Sequence, residues 1–171
     1  MAPRKVYEHK LNDLNTSIIE MGQAAENLID QTIKVLKTAD DELAKVTIKQ
    51  DDIVDLKQLE IEKECASLIA QQQPIASDLR FILSVVKIVT DIERIADQCS
   101  DICQYSIKLN DKEWSKEVNY HRHIERMAVT ARDMLKNALD SFVSKDVETI
   151  KAICKADDKM DEYFWKVWQE L

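Results

Sequence analysis

The chain has 171 residues, with 24 lysines and arginines against 32 aspartates and glutamates, for a net charge of −8 and a pI near 5.0. No dense Lys/Arg cluster appears, which argues against nucleic acid as a partner, and no run of 18 apolar residues offers a membrane-inserted helix. One glycine (Gly22) and two prolines (Pro3, Pro74) over this length argue for long helices and against sheet, so the expected class is all-α.

Helix one is predicted over residues 5–38, on apolar positions at helical spacing that include Leu11, Leu14, Ile18, Met21, Ala25, Leu28, Ile29, Val35 and Leu36. The stretch "TADDE" (38–42) breaks it, with Asp40 as the N-cap of the next helix. Helix two is predicted over 41–72 and stops at "QQQP", because a residue before proline disfavours helical geometry while proline itself suits a first turn. Helix three is predicted over 75–108 on the stripe Ile88, Ile92, Ile95, Ala96, Cys99, Ile102 and Cys103. "LNDKEWSKE" (109–117) reads as a linker, helix four covers 117–144, and helix five runs from 147, capped by Asp146. A 32-residue helix is roughly 48 Å long, and such helices joined by short turns stack antiparallel.

Shifted by 106 positions, the sequence matches itself without a gap. Met21 falls on Met127, Ala25 on Ala131, Asp40 on Asp146, Glu42 on Glu148 and Lys45 on Lys151. Asp51 and Asp55 fall on Asp157 and Asp161. The repeat divides the chain into a three-helix unit (1–110) and the first two helices of an incomplete second unit (111–171). Tyr163, Phe164, Trp165 and Trp168 are expected to be core residues of that second bundle, which lacks its third helix. The four cysteines, Cys65, Cys99, Cys103 and Cys154, form no zinc or redox motif and are expected to be buried and reduced. The opening "MAPRKVYEHK" lacks the apolar stretch of a signal peptide, so a cytoplasmic location is expected.

Two acidic pairs stand out. "DDIVD" (51–55) contains Asp51 and Asp55, and "DIERIAD" (91–97) contains Glu93 and Asp97, each four apart and therefore stacked on one helix face. Counted from the turn near residue 73, the midpoints of the pairs differ by about two residues, or roughly 3 Å along the axis. The pairs thus lie at nearly one height on neighbouring antiparallel helices, and Asp101 extends the helix-three row by a turn. Converging carboxylates repel, and a hard multivalent cation relieves that repulsion. The alternative is a solvated acidic ridge answered by Lys49 and Arg94. A ferritin-like metal-storage or oxidase bundle needs Glu-x-x-His on two helices, and none of His9, His121 and His123 has glutamate three residues before it. His121 and His123 read as surface histidines. No phosphate-cradling glycine loop exists and no nucleophile–base pair is evident. A metal-free helical oligomerisation module stays open as a third reading.

"QQQPIASDLRFILSVVKIVTDIERIADQCSDI" (71–102) closely resembles the signature segment of PhoU proteins, the phosphate-uptake regulators. "KQDDIVDLKQLEIEKEC" (49–65) and "MAVTARDMLKNALDSFVSKDVETIKAICKADDKMD" (127–161) resemble two further segments of that family, in family order. The resemblance implies two tandem three-helix bundles and an E/D-x-x-x-D metal motif in each repeat. On that pattern Asp51, Asp55, Glu93 and Asp97 would ligate metal ions, iron first, with manganese or zinc as alternatives, Asp101 would add a further acid to the site, and Asp157 and Asp161 would be half of a second site. The resemblance also implies a non-enzymatic adaptor that represses phosphate-starvation signalling. Its partners would be the phosphate ABC transporter's ATPase, a phosphate-sensing histidine kinase and a second copy of itself in a homodimer. "DLR" (78–80) is a candidate partner surface. Three departures from the pattern are Ala96 where the family usually has glycine, Gln98 where it often has histidine, and Asp101 where asparagine is common. The absent second "ER-x-x-D" helix leaves Asp157 and Asp161 without facing acids.

Overall fold

The computed structural model describes residues 3–110 and 122–170, all in or between five helices. They are α1 (Pro3–Thr38), α2 (Asp41–Gln72), α3 (Ala76–Asn110), α4 (Arg122–Ser144) and α5 (Val147–Glu170). No strand occurs among the described residues, and no described helix is long and apolar enough to cross a membrane.

The helix ends follow from local chemistry. The Asp40 carboxylate accepts from the backbone N–H of Glu42 and Leu43, both at 3.0 Å, which satisfies two donors that a helix start leaves open. Asp146 does the same for Glu148 (3.0 Å) and Thr149 (3.2 Å). Each cap follows a residue with positive φ, Ala39 (51°) and Lys145 (60°), and each precedes a matching ion pair, Glu42–Lys45 and Glu148–Lys151, both 2.7 Å. The 106-residue repeat therefore extends to the backbone. Gln73 closes α2 in the left-handed region (φ 45°), its N–H bonded to the Ile69 carbonyl at 3.3 Å, and Pro74 blocks continuation. The third helix runs two residues past its expected end. Asn110 donates to the Ala39 carbonyl (3.1 Å) and to Asp41 (2.8 Å), pinning the end of α3 to the α1–α2 turn. Residues 111–121 of the expected linker and helix-four start lie outside the described residues.

The core lies between α1, α2 and α3, where Leu14, Ile18, Met21, Val54, Ile82, Val85 and Val89 are fully buried. The second unit joins it through α4, whose Leu135 and Leu139 enter the same core. Gly22 makes that approach possible: a β-carbon there would collide with the Leu139 side chain. Phe81 of α3 stacks on Phe142 of α4 with ring centroids 5.6 Å apart. α5 packs on α4 alone among the described helices.

That arrangement corrects three expectations. Phe164, Trp165 and Trp168 are exposed, Trp168 at 67%, because no described helix covers their side of α5. Cys154 is exposed on α5 for the same reason, while Cys65, Cys99 and Cys103 are buried. His123 is buried and stacks on Tyr163 (centroids 5.9 Å), since it sits on the α4 side that meets α5. His121 lies outside the described residues.

Candidate metal centre

The packing of α2 on α3 settles the rotation that helical spacing leaves open. Val54 on α2 and Ile92 and Ala96 on α3 point into the core, so the acids beside them sit at the edge of the α2–α3 contact. One carboxylate oxygen from each of Asp51, Asp55 and Asp97 lies within 4.8 Å of the other two. Asp51, Asp55 and Glu93 are half-buried and Asp97 is exposed. The Oδ1 atoms of Asp51 and Asp55 are shut off from solvent and have no hydrogen-bond partner.

A buried carboxylate oxygen without a partner costs free energy, and here two share one place. Burial, then the charges of Asp55 and Asp97, push the Asp51 carboxyl up to about 6. Burial and Asp97 raise Asp55, and burial, Asp97 and Asp55 raise Glu93, against a smaller opposing pull from Arg94. Among the described residues no lysine or arginine pairs with Asp51, Asp55 or Asp97. Arg94 reaches back to Asp91 at 3.5 Å instead. The site is thus a pocket of negative charge with oxygen donors only, which suits a hard cation. The donor set fits the implied metal: three carboxylates converge here, and two of them carry a buried oxygen without a partner that a cation would satisfy.

Asp101, one turn beyond Asp97, is exposed and outside this group. Asp157 and Asp161 are exposed on α5, and no third acid joins them among the described residues. A cleft of about 660 Å³ between α1, α3 and α4, lined by Ile29, Ile33, Ile95, Ile102 and Ala128, opens beside the acids with Asp97 on its rim. Spacing along single helices carries no signal for that cleft, because three helices form it.

The PhoU domain family model matches residues 18–106 and 124–171. The chain belongs to the PhoU family. The resemblance read from residues 49–65, 71–102 and 127–161 is borne out, and so is the all-α bundle fold. The chain is 38% identical over 169 residues to the phosphate-specific transport system accessory protein PhoU homolog of Clostridium acetobutylicum, covering 98% of this chain and 76% of that one. It is 32% identical over 162 residues to the Aquifex aeolicus protein of the same description, covering 95% and 72%. The crystal structure of the phosphate transport system regulatory protein PhoU from Streptococcus pneumoniae superposes with a TM-score of 0.86 at 26% identity, over 96% of this chain and 76% of that one. PhoU from Pseudomonas aeruginosa gives 0.84 at 27% identity, over 96% and 78%.

Proposed function

We propose that the chain is a PhoU-type regulator of phosphate uptake, acting in the cytoplasm as a non-enzymatic adaptor. On this reading it represses phosphate-starvation signalling by docking on the phosphate ABC transporter's ATPase and on a sensor histidine kinase, and it works as a homodimer. Family membership supports the phosphate-transport role. The single observation behind the metal-dependent part is that Asp51 and Asp55, each with an orphaned buried Oδ1, bring a carboxylate oxygen within 4.8 Å of one another and of one on Asp97.

In that part Asp51, Asp55 and Asp97, with Glu93 beside them, hold one or more cations, iron before manganese or zinc. A bound cation supplies positive charge and coordination geometry and no covalent step. Asp51 and Asp55 on α2 and Asp97 on α3 would hold it, and a cation shared by the two helices would oppose their separation. Asp157 and Asp161 would join a second site only with facing acids from an element outside the described residues.

The test is elemental analysis of protein purified without chelator, beside a Glu93→Ala/Asp97→Ala variant. Stoichiometric iron, manganese or zinc in the parent and its loss in the variant is the expected result. Absence of metal from both, even after reloading, sinks the metal-dependent part. Binding of the purified transporter ATPase and kinase to the two proteins then tests the adaptor role separately.

A further inference from the structure

Ion pairs and apolar contacts join α1 to α4. The two helices run antiparallel: Asp30 pairs with Arg132 at 2.7 Å, Lys37 pairs with Glu125, and Gly22 faces Leu139. Under the 106-residue repeat, α4 is the counterpart of α1, so the joint relates equivalent helices by an approximate two-fold. Its apolar contacts respect that symmetry, for Gly22 and Leu139 correspond to Ala128 and Ile33, which line one cleft together. Its charges do not. Glu26 corresponds to Arg132, and Asp30 corresponds to Lys136, with the sign inverted at both positions. Glu26 and Lys136 share a small cleft, and Lys136 then Arg132 are the main cations acting on Glu26.

We infer that this inversion is a pairing code: the α1 face fits the α4 of a second repeat and rejects an equivalent α1 from another molecule. Docking α1 on a copy of itself in this geometry would put Asp30 where Lys136 stands and Glu26 where Arg132 stands, so the attractions of Glu26 to Lys136 and of Asp30 to Arg132 become repulsions, and Lys37 would face Ile19 in place of Glu125. Docking α4 on a copy of itself would crowd Arg132 and Lys136 of both copies together. One further inverted pair, Lys34 and Asp140, works the other way, since Asp140 repels Glu26 in the present joint, but it ranks behind both cations. The hydrophobic part of the joint is nearly symmetric and would accept either partner, so the choice falls to charge.

A four-member set of full-length variants tests the code. Glu26→Lys/Asp30→Lys makes the joint positive on both sides, and Arg132→Glu/Lys136→Glu makes it negative on both. The fourfold variant restores complementarity with the signs exchanged. Each one-sided variant is expected to unfold about 2–4 °C below the parent at low salt, less so at 1 M salt, and the fourfold variant to recover most of the loss. Refolded together, the two one-sided variants are expected to exchange their second units and form a mixed dimer, visible by native mass spectrometry. A fourfold variant no more stable than the two one-sided losses add up to, or a mixture no richer in mixed dimer than either variant alone is in its own dimer, overturns the code.

Discussion

Asp51 concentrates the electrostatics of the site in one side chain. Its carboxyl, pushed up to about 6 without a cation, keeps a proton over a pH range in which the unfolded residue, near 3.8, has lost it. The associated stability is fully present below the unfolded value and is lost as pH rises through about 6. Metal-free protein should therefore lose stability between pH 4 and 6. Asp51→Asn should unfold about 2–4 °C above the metal-free parent at pH 7 and at the same temperature below pH 4, by thermal denaturation. Cation binding runs the other way, because protons compete for the same oxygens: affinity should fall as pH drops through about 6, read by titration calorimetry. Gly22 is the second residue with a consequence of its own. Gly22→Val drives a branched side chain into Leu139 and should destabilise the chain by about 1–3 kcal/mol in a denaturant titration. Combined with Leu139→Ala, its cost should be smaller than the sum of the two single losses, because the second change opens the space the first one needs.

At the scale of elements, the caps were legible residue by residue. Asp40 and Asp146 could be picked out because a helix start needs an acceptor within three residues of its first free N–H groups, and sequence neighbours supply it. Asp40→Ala should cost about 1 kcal/mol of stability by chemical denaturation. The Asp146 carboxyl is lowered by the Thr149 hydroxyl (2.7 Å) and backbone N–H, so its cap holds above the usual carboxylate range and fails as pH falls through the lowered value. The helix-three end was misplaced by two residues because Asn110 is held by Ala39 and Asp41, some 70 positions away in the chain. The burial of His123 and the exposure of Cys154 escaped for a related reason: both depend on which side of α4 and α5 meets another helix. "DLR" ends with Arg80 exposed and Asp78 in the first turn of α3, where its charge complements the helix start.

Across the whole molecule, a cation between α2 and α3 would link two helices that each also pack on α1, so its effect should spread over the first bundle. Saturating metal at about 100 times its dissociation constant should add roughly 2.7 kcal/mol to the unfolding free energy, measured as a higher Tm, and chelator should reverse it. The Glu93→Ala/Asp97→Ala variant should show no such shift. The exposed Phe164, Trp165 and Trp168 mark the second unit as the less covered half, with α5 resting on α4 alone among the described helices.

The sequence by itself determined the helix class, both ends of α1, α2 and α3, the end of α4 and the start of α5 to within two residues, both caps, the 106-residue repeat and the common height of the two acidic pairs. All of these depend on neighbours along the chain or on a fixed rise per residue. The tertiary structure alone decided how each helix is rotated about its axis. That rotation buried one oxygen of Asp51 and one of Asp55, brought Asp97 to them and left Asp101 outside. It also set Asp30 against Arg132 across the α1–α4 joint. Height follows from counting residues, but rotation follows from which apolar stripe meets which partner, and that is settled only when several helices close on one core.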